Sequence, residues 1–150
     1  MIKGLYETHL PVSNLETSIS FYESIGLKLY RRNPKTAFLW IVERENWLGL
    51  WEGDEYKTKY HPSLRHLAFK VEIIDVKNAI TWLNDRGIQP RKDFDFEPIE
   101  PIVFPSQAHA SVFFHDPDGN SLEFIARLPF EVHDQPMMYL SEWEKLNGPL

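Results

Sequence analysis

Apolar residues follow two different periods at the start of the chain. Residues 5–12 alternate between apolar and polar positions, which is typical of a half-buried strand. The apolar residues that come next share one face of a helix: Leu15, Ile19, Tyr22 and Ile25. Ser13 and Glu16 have the spacing of a capping box, and Gly26 is suited to end the helix. The chain therefore opens with a strand and a helix.

Three short β-like runs follow this helix, and the same order of strand, helix and three strands is then repeated. The runs cover 27–32, 37–43 and 47–52. In the second copy, Asp75 could cap the helix and Gly87 could end it. The strands of that copy are predicted over 64–71, 88–94, 110–115 and 121–127. The pattern predicts two βαβββ modules, the first over 3–52 and the second over 64–127.

The remaining segments have the composition of turns and connections. Residues 53–63 are predicted to be a linker, and the proline-rich segment 96–107 could form a lid. Asp116–Asn120 is a tight hairpin turn by its composition. In the tail, residues 128–150, a capping box over 141–144 predicts one short helix. All 150 residues fit one domain.

Composition narrows the choice of partners and of metal ligands. The net charge is −6 and no long run of like charges occurs, which argues against nucleic acid or a membrane surface as partner. No apolar stretch approaches the roughly 20 residues needed to span a bilayer. We expect a soluble, cytoplasmic protein. Cysteine is absent, so histidine and carboxylate side chains would have to hold any metal.

Superposing the two modules places polar residues at equivalent positions. Aligning Val12 with Val71 gives an offset of 71 − 12 = 59, which carries Glu7 onto His66. The first strand of each module therefore has a side chain that can bind a metal at the same position. His9 follows Glu7 on the same face, about 6–7 Å further along the strand.

The last strand of the second module carries a carboxylate. Glu123 lies between Leu122 and Phe124 and so points to the opposite face from these two apolar side chains. Its counterpart in the first module is Gly49, in the segment Leu48-Gly49-Leu50. Three of the four related positions can therefore bind a cation.

Each of these residues also has an ordinary interpretation. A strand Glu-x-His more often faces solvent than binds a metal, and His66 alone could be a hydrogen-bonded core histidine. Arg65 is expected to be a surface charge, and His115 to support the turn that follows it. Other histidines are predicted in solvated loops, although the second of them could close over a ligand: His61, His109 and His133. Large aromatic residues are expected mainly in the core: Trp40, Trp47, Trp51 and Phe114.

Three segments together resemble the vicinal oxygen chelate superfamily of glyoxalases, bleomycin- and fosfomycin-resistance proteins, extradiol dioxygenases and epimerases. They are HLPVSNLETSISFYESIGLKL over 9–29, RHLAFKV over 65–71 and FFHDPDGNSLEF over 113–124, and the resemblance covers 3–127. It implies an α+β fold in which paired βαβββ modules form a cupped mixed sheet. It also implies a divalent metal inside the cup.

The resemblance assigns the metal to Glu7, His66 and Glu123, with Gly49 departing from the glutamate of glyoxalase I. Mn²⁺, Fe²⁺, Ni²⁺, Co²⁺, Zn²⁺ and Mg²⁺ all suit one histidine and two carboxylates, and open coordination positions would accept two adjacent substrate oxygens. His9 is the candidate catalytic residue, as a general acid or base or as a group that binds a substrate oxygen.

The favoured function is a metal-dependent enzyme acting on a small molecule with vicinal oxygens, by lyase, isomerase or dioxygenase chemistry. The alternative is a non-catalytic protein that sequesters a drug, in the manner of bleomycin-resistance proteins. A module with a purely structural metal is a third hypothesis.

Two details narrow the enzymatic hypothesis. Fosfomycin thiol transferases carry an arginine nine residues past the last ligand, where this chain has Val132. Extradiol dioxygenases usually combine two such domains and use two histidines with one glutamate. Pro11 suits an edge strand, and Glu7 could ligate a metal held by His66 and Glu123 of a second subunit. We therefore expect a homodimer.

Overall fold

The computed structural model describes residues 3–57, 59 and 65–150. Contacts divide the chain into two compact units. Unit 1 comprises Met1–Arg65 and Asp116–Asn120, and unit 2 comprises His66–His115 and Ser121–Leu150. Part of the predicted linker, including His61, lies outside the described residues. None of the helices in the described ranges has the length and apolar character needed to cross a membrane.

The described residues of unit 1 form a four-stranded mixed sheet and one α-helix. Its elements are β1 (Glu7–Val12), α1 (Leu15–Ser24), β2 (Lys28–Arg32), β3 (Thr36–Val42) and β4 (Asn46–Glu52). The strand order is β1-β4-β3-β2, with β1 parallel to β4 and the other neighbours antiparallel. The predicted order of strand, helix and three strands is confirmed in this unit.

The sheet of unit 1 has one apolar and one mixed face, because successive side chains on a strand alternate. The four helix residues that the sequence placed on one face are all buried. The apolar face of the sheet is buried too, through Leu10, Val12, Leu39, Leu48 and Leu50. The opposite face carries the polar candidates of β1.

Asn14, and not the predicted box of Ser13 and Glu16, caps α1. Asn14 is extended, with φ −152°, and its Oδ1 accepts a hydrogen bond from the backbone N–H of Thr17 at 2.9 Å. Ser13 uses its backbone N–H, which donates to Oδ2 of Asp118 at 3.0 Å. Two cap-competent residues stand side by side here, and the spacing alone selected the wrong one.

Asn14→Ala is expected to lower the free energy of unfolding by about 1 kcal/mol, because the Thr17 N–H loses its acceptor. Chemical denaturation would measure the change. Ser13→Ala is the matched control and should be close to neutral. Equal losses in the two variants would restore Ser13 as the cap.

Unit 2 contains a five-stranded mixed sheet and two α-helices. Its elements are β5 (His66–Lys70), α2 (Ile73–Asn84), β6 (Ile102–Phe104), β7 (His109–His115), β8 (Ser121–Arg127), β9 (Met138–Tyr139) and α3 (Leu140–Asn147). The order is β5-β8-β7-β6-β9, and β5 runs parallel to β8 as β1 does to β4. Both units are thus α+β, as predicted.

The predicted strand over 88–94 is wrong. This segment makes one isolated bridge, between Asp93 and Phe96, and its Arg91 N–H donates to the carbonyl of Phe113 at 2.8 Å. The strand β6 forms instead inside the proline-rich segment that we considered as a lid, and all three of its residues are buried. A short apolar strand buried on both faces has no alternation, so its pattern was hidden between prolines.

The predicted caps of the later helices are also displaced. In α2, Asp75 occupies the third helical position, where its carboxylate accepts the N–H of Glu72 at 3.3 Å. In α3, Glu142 accepts the N–H of Tyr139 at 3.1 Å, so the predicted box over 141–144 begins two residues too late. Both carboxylates lie in the first turn, where the helix dipole favours negative charge.

Candidate functional site

The strand registers of the two units agree with the predicted equivalence of positions. The residues opposite each other are Glu7 and Trp47, His9 and Gly49, His66 and Ser121, and Ala68 and Glu123. Each unit therefore pairs its first and last strands in the same way. In this register Glu7 corresponds to His66, and Gly49 corresponds to Glu123.

An imidazole and a buried carboxylate meet on the sheet of unit 2. Nε2 of His66 lies 3.1 Å from Oε2 of Glu123. The carboxylate is only 7% exposed, and its Oε1 accepts a hydrogen bond from the hydroxyl of Ser111 at 2.5 Å. Nδ1 of His66 lies 3.1 Å from Oγ of Ser121. Both ligand candidates of this unit are therefore held by neighbouring hydroxyl groups.

His109 joins this face, which corrects its predicted position in a solvated loop. It is the first residue of β7 and is 9% exposed, and its ring stacks on Phe104 with 4.7 Å between centroids. Burial lowers the pKa of His109, and the negative charge of Glu123 opposes part of that shift. The strand pattern that begins at Ala110 could have been extended by one residue to include it.

A second histidine–carboxylate pair lies on the sheet of unit 1. Oε2 of Glu7 accepts the indole N–H of Trp47 at 2.7 Å, and Oε1 lies 3.6 Å from Nε2 of His9. The indole N–H of Trp51 donates to Nδ1 of His9 at 2.8 Å. An indole can only donate, so Nδ1 supplies a lone pair and the neutral imidazole carries its proton on Nε2. His9 thus presents a donor on the side of Glu7.

His9 also explains the glycine at position 49. A Cβ built on Gly49 would lie 2.2 Å from Nδ1 of His9 and 2.6 Å from its Cε1. The imidazole therefore occupies the space that a glutamate side chain at this position would need. The glycine at position 49, where glyoxalase I has a glutamate, therefore goes together with the histidine at position 9.

Gly49→Ala is expected to displace the His9 ring and break its hydrogen bond with Trp51, at a cost of about 1–3 kcal/mol from overpacking. The loss would be measured by denaturation, and the indole N–H resonance of Trp51 would report the broken bond. Gly4→Ala is the control, since a Cβ there meets nothing within 4 Å. An unchanged Trp51 resonance in Gly49→Ala would contradict this geometry.

Aromatic rings surround the pair of unit 1. Tyr6, Tyr30, Phe38, Trp40 and Trp47 are joined by centroid distances from 4.5 to 6.3 Å. Trp51 completes the set, with its ring centroid 5.9 Å from that of His9. We call this set the aromatic face. The sequence placed its tryptophans mainly in the core, but Trp51 is 52% exposed. The face is therefore open to a ligand with apolar or aromatic surface.

The donor atoms of unit 2 fit a metal ion in their chemistry. One imidazole nitrogen and one carboxylate oxygen converge, which suits hard or borderline divalent ions. Among the residues that the structure describes, no group of three or more His, Cys, Asp or Glu is gathered closely enough to hold a metal. The set of Glu7, His66 and Glu123 therefore remains a prediction.

Comparisons with known proteins agree with this fold. The model of the Glyoxalase/Bleomycin resistance protein/Dioxygenase superfamily matches residues 4–124. A metallothiol transferase FosB of Staphylococcus saprophyticus is 26% identical and covers 98% of this chain and 95% of that protein.

Two solved structures are similar as well. An integron cassette protein from the mobile metagenome of Halifax Harbour Sewage Outfall has a TM-score of 0.62 at 28% identity, and it covers 83% of this chain and 99% of its own. The fosfomycin resistance protein FosX of Listeria monocytogenes has a TM-score of 0.64 at 21% identity, covering 86% of this chain and 97% of its own. The chain belongs to the Glyoxalase/Bleomycin resistance protein/Dioxygenase superfamily.

Proposed function

We propose that this chain is a metal-dependent enzyme that acts on a small molecule with two adjacent oxygens. The observation that carries the proposal is the His66–Glu123 pair, in which a buried carboxylate and an imidazole nitrogen lie 3.1 Å apart. Burying a charged carboxylate is costly unless its charge is compensated, and a divalent cation held by Glu123 and His66 would compensate it. A relative named as a metallothiol transferase along nearly the whole chain adds support.

Glu7, His66 and Glu123 would hold the ion, one of Mn²⁺, Fe²⁺, Ni²⁺, Co²⁺, Zn²⁺ or Mg²⁺. When bound, it supplies Lewis acidity to substrate oxygens. Glu7 would come from the same chain or, in a homodimer, from the second subunit. The indole N–H of Trp47 donates to Oε2 of Glu7 at 2.7 Å and so fixes the orientation of this side chain.

His9 would act as a hydrogen-bond donor to a substrate oxygen. Trp51 occupies Nδ1, so only Nε2–H is available to a substrate oxygen. Of the roles expected from the sequence, this arrangement favours the binding of a substrate oxygen over general acid or base catalysis. A negative charge that develops on a substrate oxygen during the reaction would be stabilised by such a fixed donor.

Addition of a thiol to a strained oxygen-containing ring is the first reaction to examine, because the relatives include metallothiol transferases. A C–S bond would form and a C–O bond would break. The released oxygen would be stabilised by the Nε2–H of His9 and would take up a proton from solvent, while the thiol would lose its proton to solvent. Val132, nine residues after Glu123, does not supply the arginine of the thiol transferases. Lyase and isomerase substrates therefore belong in the same assays.

Turnover tests the proposal. Protein stripped with a chelator and reloaded with each divalent ion would be assayed with a thiol and an epoxide, with a hemithioacetal, and with a catechol. We expect metal-dependent turnover in one of these classes, lost again on chelation. Absence of turnover with every ion and substrate class would contradict the enzymatic function.

A sequestering protein of the bleomycin-resistance type is the second candidate, and the aromatic face favours it. Stacked tryptophan and tyrosine rings offer a large apolar surface with polar edges for a planar ligand. Elemental analysis of the purified protein separates the candidates. Parent and His66→Ala protein that are equally free of metal would favour sequestration.

A further inference from the structure

A line of hydrogen bonds reaches the His66–Glu123 pair from the loop before β6. Nη2 of Arg91 donates to Oγ of Ser121 at 2.8 Å, and the same Oγ lies 3.1 Å from Nδ1 of His66. Nε2 of His66 then faces Oε2 of Glu123. All four residues belong to unit 2. The guanidinium group is therefore connected to the proposed metal ligands through one hydroxyl.

When His66 is neutral and carries its proton on Nε2, all the hydrogen bonds of this line must be donated in the same direction, from Arg91 toward Glu123. Arginine only donates, so Ser121 accepts from Arg91 and can give its own proton to Nδ1 of His66. His66 then donates from Nε2 to Glu123. Each bond polarises the next one, which strengthens the line as a whole.

The guanidinium group of Arg91 is held on several sides. Nη2 lies 2.9 Å from a carboxylate oxygen of Asp93, and the guanidinium carbon lies 5.4 Å from the ring centroid of Phe113. The backbone N–H of Arg91 donates to the carbonyl of Phe113, and Phe113 lies opposite Glu123 in the sheet. The side chain is therefore fixed close to the ligand pair.

Arg91 is not arranged for the best stability. Its Nε is buried, and in the described part of the chain no acceptor reaches it. A buried donor without an acceptor costs about 1–3 kcal/mol. A side chain kept in place at such a cost is a candidate for a functional role.

We infer that Arg91 is a positioning residue that orients the His66 imidazole toward Glu123 through the hydroxyl of Ser121. The inference rests on the proposed function, since His66 and Glu123 are there the metal ligands. In the metal-bound protein the ligand nitrogen would be Nε2. Nδ1–H would then donate to Ser121, which can accept from Arg91 and from His66 at the same time.

Metal affinity in three variants tests the inference. Mn²⁺ binding would be followed by electron paramagnetic resonance of the free ion in the parent, Arg91→Gln, Ser121→Ala and the double variant. We expect each single change to weaken binding by about 10-fold, as for other residues that support a metal ligand. The loss of Mn²⁺ affinity in the double variant should not exceed the larger of the two single losses, because both changes break the same line of hydrogen bonds. Additive losses would overturn the inference.

Arg86→Gln is the matched control. It removes the same charge, and the Arg86 guanidinium lies over the ring of Trp82 at 3.6 Å without a contact to the pair. Its Mn²⁺ affinity should equal that of the parent. A loss equal to that of Arg91→Gln would indicate a general charge effect and would contradict positioning through Ser121.

A readout without metal separates this inference from the proposed function. Nitrogen NMR of the metal-free protein in mildly alkaline buffer should show the His66 proton on Nε2. Arg91→Gln and Ser121→Ala should each shift the Nδ1 resonance of His66, because the hydrogen bond that reaches this nitrogen is weakened or lost. The inference stands if this shift occurs even where the parent binds no Mn²⁺. An Nδ1–H imidazole in the parent, or no shift in the variants, overturns it.

Discussion

Asp116→Ala is expected to lower the free energy of unfolding by about 3–5 kcal/mol, because several buried donors would each lose an acceptor at about 1–3 kcal/mol. The carboxylate is 5% exposed and accepts the hydroxyl of Tyr22 at 2.8 Å and the side-chain amide of Asn120 at 2.6 Å. It also accepts the backbone N–H groups of Asp118 at 3.0 Å and Asn120 at 2.8 Å. Urea denaturation would measure the loss.

Tyr22→Phe is the control for Asp116→Ala. It removes one donor and leaves the carboxylate with its other three partners, so we expect a loss of about 1 kcal/mol. A loss below 1 kcal/mol in Asp116→Ala would show that water replaces these bonds and that the turn does not depend on its carboxylate.

The free energy of unfolding of the parent should also depend on pH through the titration of Asp116, in the direction opposite to that of a typical aspartate. Burial raises the pKa of Asp116, and its hydrogen bonds oppose part of the shift. The folded state then holds the proton more tightly than the unfolded state. The contribution of Asp116 to stability is therefore greatest below the ordinary pKa of aspartate and decreases as pH rises through the raised value. A contribution that increases over this interval would contradict the direction.

His66→Ala is expected to weaken Mn²⁺ binding by at least about 100-fold, since removal of a ligand exceeds the 10- to 100-fold loss from a supporting residue. Glu123→Ala should behave in the same way. Calorimetry on chelator-treated protein would measure both. His133→Ala is the control, because His133 packs on Phe130 with 5.9 Å between ring centroids and takes no part in the pair. Unchanged affinity in His66→Ala would remove the basis of the metal site.

Glu7→Ala tests the third ligand and its origin. If Glu7 ligates, the variant should lose affinity to the same extent as His66→Ala. Mixing Glu7→Ala with His66→Ala protein then distinguishes two arrangements. A site shared between subunits of a dimer would be restored in mixed dimers, since one chain contributes Glu7 and the other His66. A site within one chain would stay empty in every mixture.

The repeat made the architecture predictable, and local chemistry limited the detail. The offset that carries Glu7 onto His66 depends on the strand and helix periods, which arise because each element buries one face. The strand registers of the two units agree with this offset. Helix caps were less predictable, because Ser13 and Asn14 are both capable and only the folded backbone selects one. The strand β6 was missed because it is apolar on both faces.

The sequence predicted the positions of the site residues on their strands but not the contacts that their side chains make. Alternation placed Glu123 on the face away from Leu122, but no pattern indicates that the ring of His9 fills the space above Gly49. Arg91 was missed for a different reason. It lies in a segment whose pattern predicts a strand, and the direction of a loop side chain depends on contacts distant in sequence, here with Ser121.

The turn Asp116–Asn120 has a consequence for the independence of the two copies. It belongs to unit 1, although β7 and β8 on either side belong to unit 2. A fragment ending at Arg65 would lack the acceptor of the Tyr22 hydroxyl and the Asn120 oxygen that receives Nε of Arg65 at 2.6 Å. The first copy thus depends on a peptide that lies within the second, so deletion of the second copy would also destabilise the first.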